Sequence, residues 1–265
     1  RAAGLLGRTM WSYPHLMPET VRGLLVHSAE WTAAMRQEYE RVKATRGKQQ
    51  AAATTFNRYG WGSPNEQRLY TSQHNDFTFV VEDEIQPYAK AKPGSPIRIN
   101  EMKYFKLPWP REALLRANQA KAEMKCTLSY FIEPAPHAYA RSRYDRYYSA
   151  RLQFDVKQHD ESDSGAQSQF NEYEAGTASL KRFDGWDLGE IALRGSIHQD
   201  TWHGRAYALA DRDGISVVPA KGWWSEAGAD GHFDRKIRFA LIVSLRVEAD
   251  VDLFTEASTR IIPDT

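Results

Sequence analysis

The chain has 265 residues, of which 42% are hydrophobic, with 35 basic and 34 acidic side chains. That is enough apolar material for a sizeable core, and the near-zero net charge calls for neither nucleic acid nor an anionic membrane as a partner. No apolar run approaches membrane-spanning length.

The segment 1–10, RAAGLLGRTM, is helical in pattern and core-like from its first residues, with Ala2, Ala3, Leu5 and Leu6 unprotected by any cap or polar lead-in. Natural termini are usually polar and frayed, so the chain is expected to begin inside a helix of a larger protein. The run from Pro14 to Trp31 then reads as a loop followed by a buried helix. Pro18 suits a first helical position, and Glu19 suits the dipole of the first turn. Val21, Leu24, Leu25 and Ser28 fall at i, i+3, i+4 and i+7, which predicts an apolar or small face packed against the first helix. His27 and Glu30 lie off that face. Residues 31–55 are polar and read as a solvated connector, with a weak helical face at Met35, Tyr39 and Val42 that Gly47 is expected to end. In the turn Tyr59-Gly60-Trp61-Gly62, the two glycines permit positive φ and close backbone approach.

From Phe77 the composition changes. Phe77–Val81, Glu84–Tyr88 and Ile97–Phe105 read as strands, with a turn over 90–96. Leu107-Pro108-Trp109-Pro110 breaks regular structure, and Arg111–Ala120 holds one or two helical turns. Glu123–Phe131 alternates clearly, with Met124, Cys126, Leu128 and Tyr130 on one face and Lys125, Thr127 and Ser129 on the other. Arg151–Lys157 and Lys236–Val247 repeat the pattern. Ile191–Ile197, Trp202–Leu209 and Ile215–Val218 are shorter strand-like runs between turns. Many short strands, together with eight Trp and thirteen Tyr, predict an antiparallel β-sandwich. Gln158–Gly176, rich in acidic, Ser and Gln residues, reads as a loop.

Several motifs together carry a resemblance: the small-residue helix, PETVRGLLVHSAEW, RYGWGSPN (Arg58–Asn65), LPWP (107–110) and TLSYFIEP (127–134). In this order and spacing the chain resembles the C-terminal portion of the subtilisin-like serine proteases. The resemblance implies that residues 1–75 are the last helices of an α/β catalytic domain and that 76–265 form a following, jelly-roll-like β-sandwich, making the chain mainly β. It implies peptide-bond hydrolysis by Asp, His and Ser in the intact protein. The serine would fall about two helical turns before Arg1. No triad member is present, so the chain is expected to be inactive alone, with no catalytic, cofactor or metal residue of its own. The implied partners are the upstream catalytic segment, a protein or peptide substrate, and an AAA-type ATPase. The single cysteine, Cys126, tilts the expectation toward a reducing, cytoplasmic compartment.

Other constellations have structural roles as rivals to chemical ones. His27, Ser28 and Glu30 have triad residue types, but neighbours on a helix point about 100° apart and cannot pair as base and nucleophile. His198, Asp200 and His203 suggest a metal site, yet His203 points away from the other two on a strand and no further ligand lies near in sequence. The run 137–151 interleaves Tyr with Arg and ranks first as a loop or protein contact, ahead of a single-strand nucleic-acid surface. Trp223 and Trp224 are expected in the core rather than on a ligand platform. Cys126 is expected to be a buried, inert thiol. The rival readings of the whole chain are a non-catalytic β-sandwich binding module and an interaction subunit that complements a separate protease chain.

Overall fold

A computed structural model describes residues 2–70, 76–90, 92, 94–135, 147–157, 165, 185–193, 195–226, 231–250 and 253. The helices are α1 (Ala2–Ser12), α2 (Pro18–His27), α3 (Ala33–Tyr59), α4 (Glu66–Tyr70) and α5 (Arg111–Ala117). The strands begin with β1 (Ala29–Glu30), β2 (Ser63–Pro64), β3 (Asp76–Ile85), β4 (Tyr88–Lys90), β5 (Ile97–Ile99) and β6 (Lys103–Lys106). They continue with β7 (Lys121–Tyr130), β8 (Arg151–Val156), β9 (Ile197–Arg205), β10 (Gly214–Ala220) and β11 (Ile237–Val247). No helix among the described residues is long and apolar enough to cross a membrane.

The main sheet has the order β3-β11-β7-β9 and a second sheet has the order β6-β10-β8, both antiparallel throughout. Period-two alternation explains how they meet. Met124, Cys126, Leu128 and Tyr130 of β7 and Phe239, Leu241, Val243 and Leu245 of β11 project to one side. They join Leu152 and Val156 of β8 and Ile215 and Val217 of β10 in a single hydrophobic core. Phe105 meets Phe239 edge-on, with ring centroids 6.1 Å apart. Cys126 is fully buried, and burial raises its thiol pKa well above the usual value, as expected of an inert core residue. Trp223 and Trp224 are likewise buried in this core.

The opposite face of the main sheet, which carries Lys125, Thr127 and Ser129, is covered by α2. Gly23 allows the approach: a Cβ there would lie 2.9 Å from Ile242 Cδ1 and 3.2 Å from Ser129 Cβ. Arg22 donates to the carbonyls of Tyr130 and Ser196 at 2.5 and 2.6 Å and to Ser129 Oγ at 3.1 Å. The hydroxyl of Thr20 donates to Glu82 on β3. The face α2 turns to the sheet is thus Thr20, Gly23 and His27, a packing face additional to the stripe expected against α1, which also packs on α2. Val21 and Ser28 are buried, but Leu24 and Leu25 are only half-buried. Polar helix and polar sheet satisfy each other, which removes the cost of burying either alone.

Other boundaries also shift. β3 runs unbroken through the expected gap at 82–83, because β11 pairs with it from Ile85 to Asp76. The single strand expected over 97–105 is divided into β5 and β6, as Asn100 turns back to bond the carbonyls of Pro87 and Gln86. Gly47 does leave helical geometry (φ 81°, ψ 169°), but the helix resumes and buries Ala51, Ala52 and Thr55, so this stretch is not merely a solvated connector. At Gly62 (φ 98°) a Cβ would come 2.2 Å from the carbonyl oxygen of Glu30, the close approach expected of that turn. Of the strand expected over 191–197, only Ile197 among the described residues is in one: a 3-10 turn at Gly189–Leu193 precedes β9, and another at Ala206–Leu209 follows it. The acidic loop expected at 158–176 lies, except for residue 165, outside the described residues.

Candidate functional site

Of the side chains singled out in the sequence, His27 is the most constrained. Its ring nitrogens bond Thr127 Oγ1 at 2.8 Å and Ser244 Oγ at 2.9 Å, so neither is free to act as a base. Ser28 Oγ donates to the carbonyl of Leu25, and Glu30 pairs with Arg68. The three therefore form no triad. His198 and Asp200 share the core face of β9, while His203 lies on the other face, opposite Glu123 of β7. His198 Nε2 bonds the carbonyl of Gly195, and its ring packs edge-on against Tyr130. The Asp200 carboxylate accepts from the backbone N–H groups of Leu188, Gly189 and Thr201, while burial raises its pKa to about 6. No group of three or more metal-ligating side chains occurs among the described residues. Of the Tyr- and Arg-rich run, residues 137–146 fall outside the described residues. Tyr147 is exposed, and the Tyr148 hydroxyl accepts from the N–H of Gly195.

A cluster with no local sequence signal lies where the helical segment meets β7 and β9. Arg68 of α4 bridges Glu30 at 2.6 Å and Glu123 at 3.2 Å, tying the helices to the sheet. Lys125, one pleat along from Glu123, is buried and points its ammonium at the C-terminal end of α2. It donates to the carbonyls of His27 and Ala29, each at 3.3 Å. A cation suits that end of a helix, where carbonyls lack partners. Burial nevertheless lowers the Lys125 pKa to about 8. Burial pushes the Glu123 carboxyl up, but the charges of Lys125, Arg68 and His203 outweigh that and leave it below its usual range. His203 is raised, chiefly by its bond to Asp187 at 3.2 Å.

These groups line a cleft of about 490 Å³, walled on the helical side by Trp31, Tyr39 and Trp61. Its residues come from 29–48, 61–68, 123–125 and 187–203, so only the fold brings them together. Comparison with known protein families and with curated proteins finds no match for this chain.

The Lys125 ammonium gives a signed pH dependence. Its folded pKa of about 8 lies below the unfolded value, so between the two the unfolded chain binds more protons. Stability should rise as pH climbs from 8 toward 10, by up to about 1.4 kcal/mol per pH unit from this group. Chemical denaturation of the wild type and Lys125→Met across that range checks it. The variant should lack this part of the slope, and equal slopes would refute the assignment. Tyr130, whose phenol burial also raises, is common to both and cancels.

Proposed function

We propose that this chain is the C-terminal part of a subtilisin-like serine endopeptidase. In this reading residues 1–75 are the last helices of the catalytic domain, and the two larger antiparallel sheets of 76–265 are a jelly-roll-like β-sandwich that braces them. Peptide hydrolysis belongs to the intact protein, whose Asp, His and Ser lie upstream. The role of this chain is to hold in place the helix that follows the nucleophile.

The observation that carries the reading is the uncovered face of α1. Leu5 and Thr9 are buried on the side toward α2. Ala3, Gly7, Met10 and Trp11, at i, i+4, i+7 and i+8, form a small and apolar stripe that stays exposed, Met10 by 56% and Trp11 by 87%. Such a stripe suits a covering domain. The same stripe fits a second reading, in which the catalytic segment is a separate chain. Burial of Trp223 and Trp224 weakens the rival view of a binding module with an aromatic platform.

Intact mass measurement on protein purified from its source, with a fluorophosphonate serine probe present, tests the reading. A labelled segment covalently upstream of Arg1 is the expected result, and a labelled separate chain selects the second reading. If only this chain is recovered and no serine is labelled, both readings fail.

A further inference from the structure

We propose that the cleft between the helical segment and strands β7 and β9 binds a neutral polyhydroxylated ligand, a saccharide ring or short glycan. This goes beyond the protease reading and does not depend on it. At about 490 Å³ the cleft falls within the range of small-molecule sites.

Charge decides first. The lining carboxylates are engaged: Glu30 and Glu123 on Arg68, Asp187 on Lys48 and His203, Glu40 on Lys43, and Asp200 on backbone N–H groups. A cation therefore meets no unengaged carboxylate, and the remaining lining cations, Arg36 and Lys125, already donate to backbone carbonyls. What lacks a partner is an acceptor. Gln199 lines the cleft on the face of β9 it shares with Thr201 and His203, is only 5% exposed, and its Oε1 has no hydrogen-bond partner among the described residues. A ligand hydroxyl donates to such an oxygen, and the same hydroxyl accepts from a donor such as the Lys125 ammonium.

The walls agree. The indole N–H of Trp31 is tied to the carbonyl of Gly60 at 2.9 Å, and that of Trp61 to the carbonyl of Gln199 at 3.3 Å. Tyr39 packs against Trp31 with centroids 5.5 Å apart. Both indoles are therefore held before any ligand arrives, which lowers the entropy cost of binding against their faces. A peptide adding as a strand is disfavoured. The outer edge of β9 here is occupied by the Trp186–Trp202 bridge and by the N–H of Asp187 on the carbonyl of Thr201.

The test is calorimetric titration of the chain with maltose, cellobiose and chitobiose, beside phosphate, glutamate and triglycine. At least one disaccharide should bind with a Kd of about 1 mM or tighter. Gln199→Met removes an acceptor that has no partner among the described residues, so its melting temperature should not fall, while disaccharide affinity should drop about tenfold. Ligand-induced NMR shifts should centre on the indole N–H groups of Trp31 and Trp61, a readout that needs no variant. The proposal is overturned if no disaccharide saturates below about 50 mM. It is equally overturned if phosphate, glutamate or triglycine binds more tightly, if Gln199→Met binds like the wild type, or if the shifts lie elsewhere.

Discussion

Gly23→Leu should lift α2 from the main sheet and lower stability by roughly 3 kcal/mol or more. The first added carbon would already press on Ile242 Cδ1 at 2.9 Å and Ser129 Cβ at 3.2 Å. Alanine is tolerable: the isoleucine tip can turn aside, and helix propensity returns up to about 1 kcal/mol over glycine. Leucine adds three further carbons where helix and sheet already touch. Relief requires α2 to move outward, and that movement breaks bonds remote from the new side chain. Arg22 leaves the carbonyls of Tyr130 and Ser196, and His27 leaves Thr127 and Ser244. Each lost bond contributes on the order of 1 kcal/mol, and the buried groups left behind add their desolvation cost. Denaturant titration of wild type, Gly23→Ala and Gly23→Leu gives the stability order. Hydrogen exchange should show the α2 amides losing protection before those of β11, whose partners β3 and β7 remain. A leucine variant as stable as the wild type would refute this account of α2 docking.

The same contact shows what could be read from the chain and what could not. β7, β8 and β11 were legible because each has one face in an apolar core, and strict alternation follows from that. β9 was misread because its buried face carries His198 and Asp200, whose partners at Gly195, Leu188 and Gly189 come from the preceding turn. Polar residues satisfied by a neighbouring loop leave no hydrophobic period. The helix α2 and its packing beside α1 were legible, but its docking on the sheet was not. That second face is set by mutual polar satisfaction with Thr127, Ser129, Ser244 and Glu82, which leaves no apolar stripe. The cleft was invisible for a simpler reason. Glu30 and Arg68 lie far in sequence from Glu123 and Lys125, and no local spacing encodes their meeting.

His27 should make α2 docking acid-sensitive. The ring is buried between two hydroxyls, and desolvation, reinforced by the positive charges of Lys125 and Arg68, holds its pKa well below the usual value. One ring nitrogen accepts and the other donates, so protonation turns an acceptor into a donor beside groups that are already cationic. The unfolded chain takes up this proton below about pH 6.5 and the folded chain resists it, so stability falls with pH from that point. The slope from this group alone reaches about 1.4 kcal/mol per pH unit. Asp200 acts in the opposite direction, since its carboxyl, raised to about 6, favours the folded chain when protonated. The difference between wild type and His27→Gln removes that contribution, because Asp200 is common to both. Glutamine keeps a donor and an acceptor but does not titrate. The variant should be less stable near neutral pH, where its amide fits the two hydroxyls less well than the ring does. The gap should then narrow steadily on acidification below about pH 6.5. A gap that stays constant down to about pH 4.5 would show that His27 is protonated as readily in the folded chain as in the unfolded one. The buried, neutral ring would then be the wrong picture of how α2 is held.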